Sequence, residues 1–249
     1  MNSNNVHNKE HLPNDNKGDE GSQETVLLLF SGGMDSTYLL HYYLSQTDLS
    51  VHAHYISMRH PSIQRWKAED IAVNNIIEYC QQHYRPFEFS SSSVEVGDWP
   101  YIGMDSNVQL TMACRLAPNL PGALVSVVRG RCADDIINEK QQSVDKTGQI
   151  QALWTALHDS ISEQNRHRIN PVTYCPLADS GVFKKDIIQD MPPALLSLCW
   201  SCRTPIMKGD VLTMCGSCHT CQQHHRLFTE LGMEGEYPNV NPPFLGKKP

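Results

Sequence analysis

The feature that most constrains this chain is an apolar run that ends in a glycine-rich turn, VLLLFSGGMDSTYLLHYYL, from Val26 to Leu44. Val26–Phe30 is short, continuous and apolar, the pattern of a parallel strand buried on both faces. From Ser36 to Gln46 the pattern predicts a helix. In between, Gly32 and Gly33 permit a tight turn and the close approach of a ligand to the backbone. Successive N–H groups of such a turn converge on one concavity, and the helix beginning near Ser36 adds unpaired amides and a positive dipole end. Ser31, Ser36 and Thr37 contribute hydroxyls. Phosphate suits all of this. The spacing is neither G-x-x-x-x-G-K-S/T nor G-x-G-x-x-G, which excludes the two commoner phosphate loops. Asp35 reads in two ways: as a helix N-cap, or as a carboxylate that tolerates phosphates only with Mg²⁺ between them.

Further strands are predicted at Val51–Ile56, Phe87–Ser90 and Ala123–Val128, with a strand or extended segment at Pro171–Pro176. Helices are predicted at Trp66–His83, with Ile71, Ile76 and Tyr79 on one side, and at Asn107–Leu116, followed by a turn from Pro118 to Gly122. Another is predicted at Gln151–Asn165, where Leu153, Ala156, Leu157 and Ile161 form a stripe, and a last one at Phe183–Gln189. Strands alternating with helices imply a doubly wound α/β domain with a mostly parallel sheet, here residues 25–198. From Cys199 the composition shifts to cysteine, histidine and short loops, which predicts a small C-terminal appendage over 199–249. Its end, from Tyr237, carries four prolines and reads as irregular.

The first 24 residues are almost wholly polar and are expected to be a disordered tail; they lack the apolar core of a secretory signal. No apolar run approaches the roughly 18–20 residues that span a bilayer, so a cytoplasmic protein without membrane contact is expected. A net charge of -7 argues against general nucleic-acid binding.

Nine cysteines are present, five of them between Cys199 and Cys221. Without an export signal, that clustering points to metal before disulfides. Cys215, Cys218 and Cys221 form C-x-x-C-x-x-C, a knuckle that brings thiolates to one point. Cys202 or Cys199 completes a tetrahedral set. Four thiolates close such a site to substrate, so structural Zn²⁺ is expected over catalytic zinc, with an iron–sulfur cluster as the alternative. Lys208 and Arg226 are candidates to offset the negative charge. His219, His224 and His225 read as surface or pocket residues.

SGGMDS resembles the SGG-x-DS loop of the PP-loop (N-type) ATP pyrophosphatases, which cleave ATP between the α and β phosphates and adenylate an acceptor. The resemblance implies an adenine nucleotide alpha hydrolase-like fold in which Ser31, Gly32, Gly33, Asp35 and Ser36 hold pyrophosphate and Mg²⁺. Trp200-Ser201-Cys202 followed by Cys215-Gly216-Ser217-Cys218-His219-Thr220-Cys221 is similar to the zinc motif of the QueC family of 7-cyano-7-deazaguanine synthases. That likeness implies Cys202 as the fourth ligand. Arg59-His60 sits where the family carries Q-R-H, a nucleotide-binding segment. Pro176-Leu177 followed by Lys184-Lys185-Asp186-Ile187 resembles the segment whose lysine, here Lys184, faces the nucleotide phosphates.

The implied chemistry adenylates a carboxylate of 7-carboxy-7-deazaguanine, releases pyrophosphate, and lets ammonia attack on the way to amide and nitrile. Asp35 and Lys184 are the implied catalytic residues. Trp200 or Phe228 would stack on the base, and Asp134 or Asp135 would read its guanine-like edge. Dimerisation is a family expectation. The middle of the chain departs from the family. No P-x-R-N segment is present, Arg115 being the nearest basic residue, and Arg129 to Ile136 (RGRCADDI) replaces G-V-N-x-x-D. That departure suits a second reading, in which a QueC-like antiphage enzyme joins the activated deazaguanine to an amine of a partner protein. A third is an inactive ATP-binding or zinc interaction module. A fourth, a sulfur-transferring tRNA enzyme, requires a thiol near the ATP site and a basic surface.

Overall fold

In the computed structural model, which describes residues 24–97, 105–208 and 211–233, four segments pair in parallel. Strand β1 (Glu24–Phe30) leads through the glycine turn to α1 (Met34–Gln46), then β2 (Ser50–Arg59), α2 (Arg65–His83) and β3 (Glu88–Glu95). After α3 (Asp105–Leu116) come β4 (Leu124–Arg129), α4 (Ala133–Gln141) and α5 (Lys146–Asp159). The short helices α6 (Glu163–Arg166), α7 (Pro176–Asp179), α8 (Lys184–Asp190) and α9 (Pro193–Leu196) follow, then the antiparallel pair β5 (Ile206–Lys208) and β6 (Val211–Thr213), and α10 (His219–Glu230).

The sheet order is β3-β2-β1-β4. The chain moves outward from β1 to β3 and then returns to β1's other side with β4. The strand order therefore reverses between β1 and β4, and ligands of open α/β sheets bind beyond the carboxyl ends of the strands at such a point.

Alternation along β1 sends its side chains into two cores. Val26, Leu28 and Phe30 join the cluster that includes Leu39 of α1, Ile76 of α2, Ile187 of α8 and Phe228 of α10. Leu27 and Leu29 join Val125 and Val127 of β4, Leu110 of α3 and Trp154 of α5. Both faces are covered, as the continuous apolar run requires.

The expected tail lies outside the described residues except Glu24, which opens β1, and the proline-rich end from Tyr237 lies outside them too. Several expectations change on folding. The long Gln151–Asn165 helix is two helices, α5 and α6, and α5 starts earlier, where Asp145 accepts the Gly148 N–H at 2.8 Å. Its buried line is Ile150, Trp154 and His158, one position away from the expected stripe, because the Trp154 indole and His158 ring reach carbonyls of the neighbouring 169–170 backbone. On α2 the buried face is Ala72, Val73, Ile76, Ile77 and Cys80, with Ile71 and Tyr79 at its margins. The expected Pro171–Pro176 strand is reduced to isolated bridges from Val125 to Ile169 and Val128 to Tyr174. Pro176 instead opens α7, a position that suits proline because its missing N–H would be unpaired anyway.

The segment after Cys199 is tied to the main body. Trp200, Cys202, Leu212 and Met214 pack with Ala68 and Ala72 of α2, and Leu227 and Phe228 of α10 enter the larger core.

On the β2–β3 side, His54 is buried among hydroxyls, its Nδ1 2.7 Å from Ser90 Oγ and its Nε2 3.0 Å from Ser92 Oγ. Burial, reinforced by His52, lowers its pKa from 6.5 to about 4. The folded state therefore resists protonation, and stability falls as pH drops from the unfolded value toward the folded one. Between pH 7 and pH 5 this histidine is expected to remove roughly 2 kcal/mol. Urea unfolding of wild type and His54→Asn at both pH values checks it: the variant should lack that part of the acid loss.

Candidate functional site

The glycine turn leaves β1 at the reversal point. Gly32 has a φ of +70°, and a Cβ there would meet Val73 Cγ2 at 2.9 Å, so both conformation and space call for glycine. Gly33 precedes α1 in extended conformation with no side-chain cap, so Asp35 is a first-turn acid and not the N-cap. The serines close the turn: Ser31 N–H donates to Ser36 Oγ at 3.2 Å, Gly33 N–H to Ser31 Oγ at 3.4 Å, and Ser36 Oγ to the Gly33 carbonyl at 3.2 Å. These neutral bonds stand where a phosphate oxygen would draw stronger, charge-assisted ones.

Lys184, at the start of α8, extends its ammonium into this site. Its Nζ lies 3.3 Å from Asp35 Oδ2, 3.4 Å from Asp135 Oδ1 and 3.1 Å from Cys132 Sγ. Three segments distant in sequence thus meet around one cation. Burial works against the ammonium, but Asp35 and Asp135 raise its pKa, so Lys184 stays charged. Burial raises the pKa of Asp35, with Lys184 opposing it. Asp135 goes the other way: burial would raise it, and Lys184 together with the Cys132 N–H and Arg131 holds it below the usual carboxylate range. Cys132 is buried, and burial with the Asp35 charge pushes its thiol well up.

A cation fits this cluster in part. Asp35 Oδ1 is buried without a donor, and ligand atoms of Asp35, Cys132 and Asp135 lie within 4.8 Å of one another. The two carboxylates suit Mg²⁺; the soft sulfur of Cys132 does not.

The other expected residues divide. Asp134 Oδ2 accepts the Lys184 backbone N–H at 2.7 Å, anchoring α8, and Asp135, partly exposed, stands with Lys184. Arg59 pairs with Glu95 at 3.6 Å and lies over the Trp66 ring, while His60 Nδ1 accepts the Ser62 N–H. Both lie at the end of β2. The Trp200 ring is buried, its indole N–H donating to the Cys202 carbonyl at 3.0 Å, and Phe228 is a core residue. Neither offers a free stacking face. Trp200 contributes differently: its backbone N–H donates to the Gly32 carbonyl at 2.9 Å and so braces the turn.

Cys202, Cys215, Cys218 and Cys221 present sulfurs within 4.8 Å of one another, Cys215 and Cys221 at 4.0 Å. A tetrahedral zinc with bonds of ~2.3 Å separates its thiolates by about 3.8 Å, so this set is able to hold a metal. The hairpin β5–β6 spans the gap from Cys202 to Cys215. Cys199 stays in the main core, its S–H near the Leu195 carbonyl. Arg226 pairs with Glu230 on the surface and Lys208 is exposed; the polar neighbours of Cys215 are Thr204 and the amides of Ser217 and Cys218. His219 and His225 are exposed, whereas His224 is buried and not on the surface; burial followed by the Lys184 charge lowers its pKa to about 4.

Sequence reasoning missed Cys132 and α4 altogether. The available signal was positional: the RGRCADD loop follows the strand that lies beside β1. Gly130 in it is fixed by contact, since a Cβ there would stand 2.6 Å from Ser36 N.

Comparison with solved structures aligns the chain with the U34-tRNA thiolase NcsA from Methanococcus maripaludis with its 4Fe-4S cluster. The TM-score is 0.44 at 13% identity, over 87% of this chain and 70% of that chain. No protein-family model and no curated protein matches. Among the described residues no helix is long and apolar enough to cross a membrane.

Three outcomes follow from the geometry. Chelating a metal held by the four cysteines, or mutating Cys202→Ser, should lower the thermal midpoint by about 5 °C, roughly 2 kcal/mol in a chain of this size, because the Trp200–Gly32 brace is loosened. Cys199→Ala should leave metal content by mass spectrometry unchanged. Gly130→Ala should cost about 1–3 kcal/mol in urea unfolding by pressing on the first turn of α1.

Proposed function

We propose that this protein is an enzyme of the PP-loop ATP pyrophosphatase type that adenylates the carboxylate of a 7-deazaguanine with release of pyrophosphate. The observation that carries the reading is the meeting of Lys184 Nζ with Asp35 of the SGGMDS turn, 3.3 Å apart across 149 residues of sequence. A cation and a turn rich in N–H groups at the carboxyl end of β1 form a receptor for polyphosphate. Bound Mg²⁺ would supply further neutralisation of the β and γ phosphates. Lys184 would exchange its carboxylate partners for the departing pyrophosphate, and the amides of Ser31 and Gly33 would turn from the serine hydroxyls to phosphate oxygens. The protein's contribution is positioning and electrostatic preorganisation rather than covalent chemistry. The four-cysteine cluster would hold structural zinc, bracing the turn through Trp200. Residues 25–198 would form the catalytic domain and 199–249 its metal-stapled extension.

The nucleophile that receives the activated group is ammonia or an amine of a partner protein. The RGRCADD loop, standing in place of the family segment, supports the protein amine. A second reading is favoured by one observation: the Cys132 thiol lies 3.1 Å from Lys184 Nζ, as a sulfur-transferring enzyme would require. The net charge of -7 speaks against a tRNA surface.

Incubation with ATP, Mg²⁺ and 7-carboxy-7-deazaguanine should release pyrophosphate in proportion to AMP. Asp35→Ala and Lys184→Met should each reduce the rate by roughly 10²–10³-fold. Mass spectrometry of the product separates nitrile or amide from a protein conjugate. Pyrophosphate release that persists in both variants, or is absent with every carboxylate tried, would sink the adenylation reading. Incorporation of labelled sulfur that requires Cys132 would replace it with sulfur transfer.

A further inference from the structure

Arg129 is the last residue of β4 and only 4% exposed. Its backbone N–H is bonded to the Tyr174 carbonyl. Its guanidinium has one direct polar partner among the described residues, Cys175 Sγ, at 3.1 Å from Nη2. Nε is buried and bonded to nothing. Among the described residues no carboxylate stands within 4.0 Å of it. The nearby carboxylate, Glu139, is already taken: Oε1 accepts from Arg131 Nη2, and Oε2 from Thr147 Oγ1 at 3.2 Å. Cys175 is no counter-ion in this setting, because burial raises its thiol pKa despite the pull of Arg129 and Arg131.

A buried guanidinium without an anion is costly, far more so than a buried neutral group. Arginine also cannot shed its charge as lysine does. Chains retain such a residue where something brings the missing anion. Its place fits that role. Arg129 precedes Gly130, which touches the first turn of α1, and Cys132, which touches Lys184. Arg129 pairs with Leu29 one residue before β1 ends, so its strand end lies at the same carboxyl edge of the sheet as the glycine turn.

We propose that Arg129 is the receptor for the substrate's carboxylate. The unbonded Nε–H edge would accept it as a planar oxyanion, in the paired geometry that guanidinium and carboxylate share. This deepens the adenylation reading and rests on it for the identity of the substrate. The seat itself requires only that the ligand carry a small carboxylate. Arg129 would orient that carboxylate toward the α phosphorus, while Lys184 and the glycine turn hold the other end of the nucleotide. It is a substrate-binding residue that recognition by motif does not supply, since it falls in the segment that departs from the family.

The test uses the full chain and three probes: sodium formate against sodium chloride at equal ionic strength, 7-carboxy-7-deazaguanine, and 7-deazaguanine without the carboxylate. Wild type should gain thermal midpoint in formate and bind the carboxylated base about tenfold or more tighter than the plain one. Arg129→Met should lose the formate response and bring the ratio of the two affinities near one, while binding ATP as before. Its midpoint in chloride should match or exceed that of wild type, because an apolar chain of similar length removes an uncompensated charge. Should Arg129→Met fail to fold, Cys175→Ala serves instead: it leaves Arg129 without its thiol partner and should strengthen the formate response. A formate response that survives Arg129→Met, or vanishes in Cys175→Ala, overturns the proposal. A formate response that depends on Arg129, with no discrimination between the two bases, keeps the carboxylate seat and removes the deazaguanine.

Discussion

The ammonium of Lys184 organises the site. It reaches from α8 to Asp35 on α1, to Asp135 on α4 and to Cys132 between β4 and α4. Without it, two carboxylates would face each other in a largely buried setting, an arrangement in which one must take up a proton. With it, Asp135 stays ionised and the beginnings of three helices are drawn together. A lysine at a helix N-terminus opposes the local dipole. Here the carboxylates reverse that disadvantage, and Asp134 adds a direct bond to the Lys184 N–H. The same arrangement makes the site responsive, because an ammonium held by weak, long contacts is free to exchange them for phosphate.

Two neighbours keep that centre in place. On one side Gly130 lets β4 approach the first turn of α1, fixing the distance between the loops that follow β1 and β4. On the other, the four-cysteine cluster carries Trp200 to the Gly32 carbonyl. The four-cysteine cluster therefore acts on the glycine turn through one backbone hydrogen bond and a small apolar cluster shared with α2. α10 adds a second tie by placing Leu227 and Phe228 in the larger core and His224 near the charge of Lys184. The cysteine cluster, the turn and the Lys184 ammonium are parts of one mechanical unit.

Some of this was legible in the chain and some was not. The β1–turn–α1 unit, the alternation of strands and helices, and the four-cysteine set are local patterns, and local patterns survive folding because their causes lie within a few residues. The aromatic and acidic candidates fared differently. Trp200 was expected, from the family resemblance, to stack on a base; the structure buries it against α2. Asp134 and Asp135 looked like readers of a base edge; Lys184 and the α8 backbone engage them. The α5 stripe was misread by one position because His158, a polar residue on a scale of hydrophobicity, is buried by its bond to the Ile169 carbonyl.

By itself the sequence determined that a buried strand runs into a tight glycine turn and a helix, and that four thiols sit at metal-binding spacing, since hydrophobic periodicity, glycine sterics and thiol chemistry act at short range. Only the tertiary structure decided that Lys184 of α8 meets Asp35 of α1, that Cys132 joins them, and that Arg129 is buried without a counter-charge among the described residues. Those are contacts between segments far apart in the chain, set by the order in which parallel strands pair, and no local pattern encodes that order.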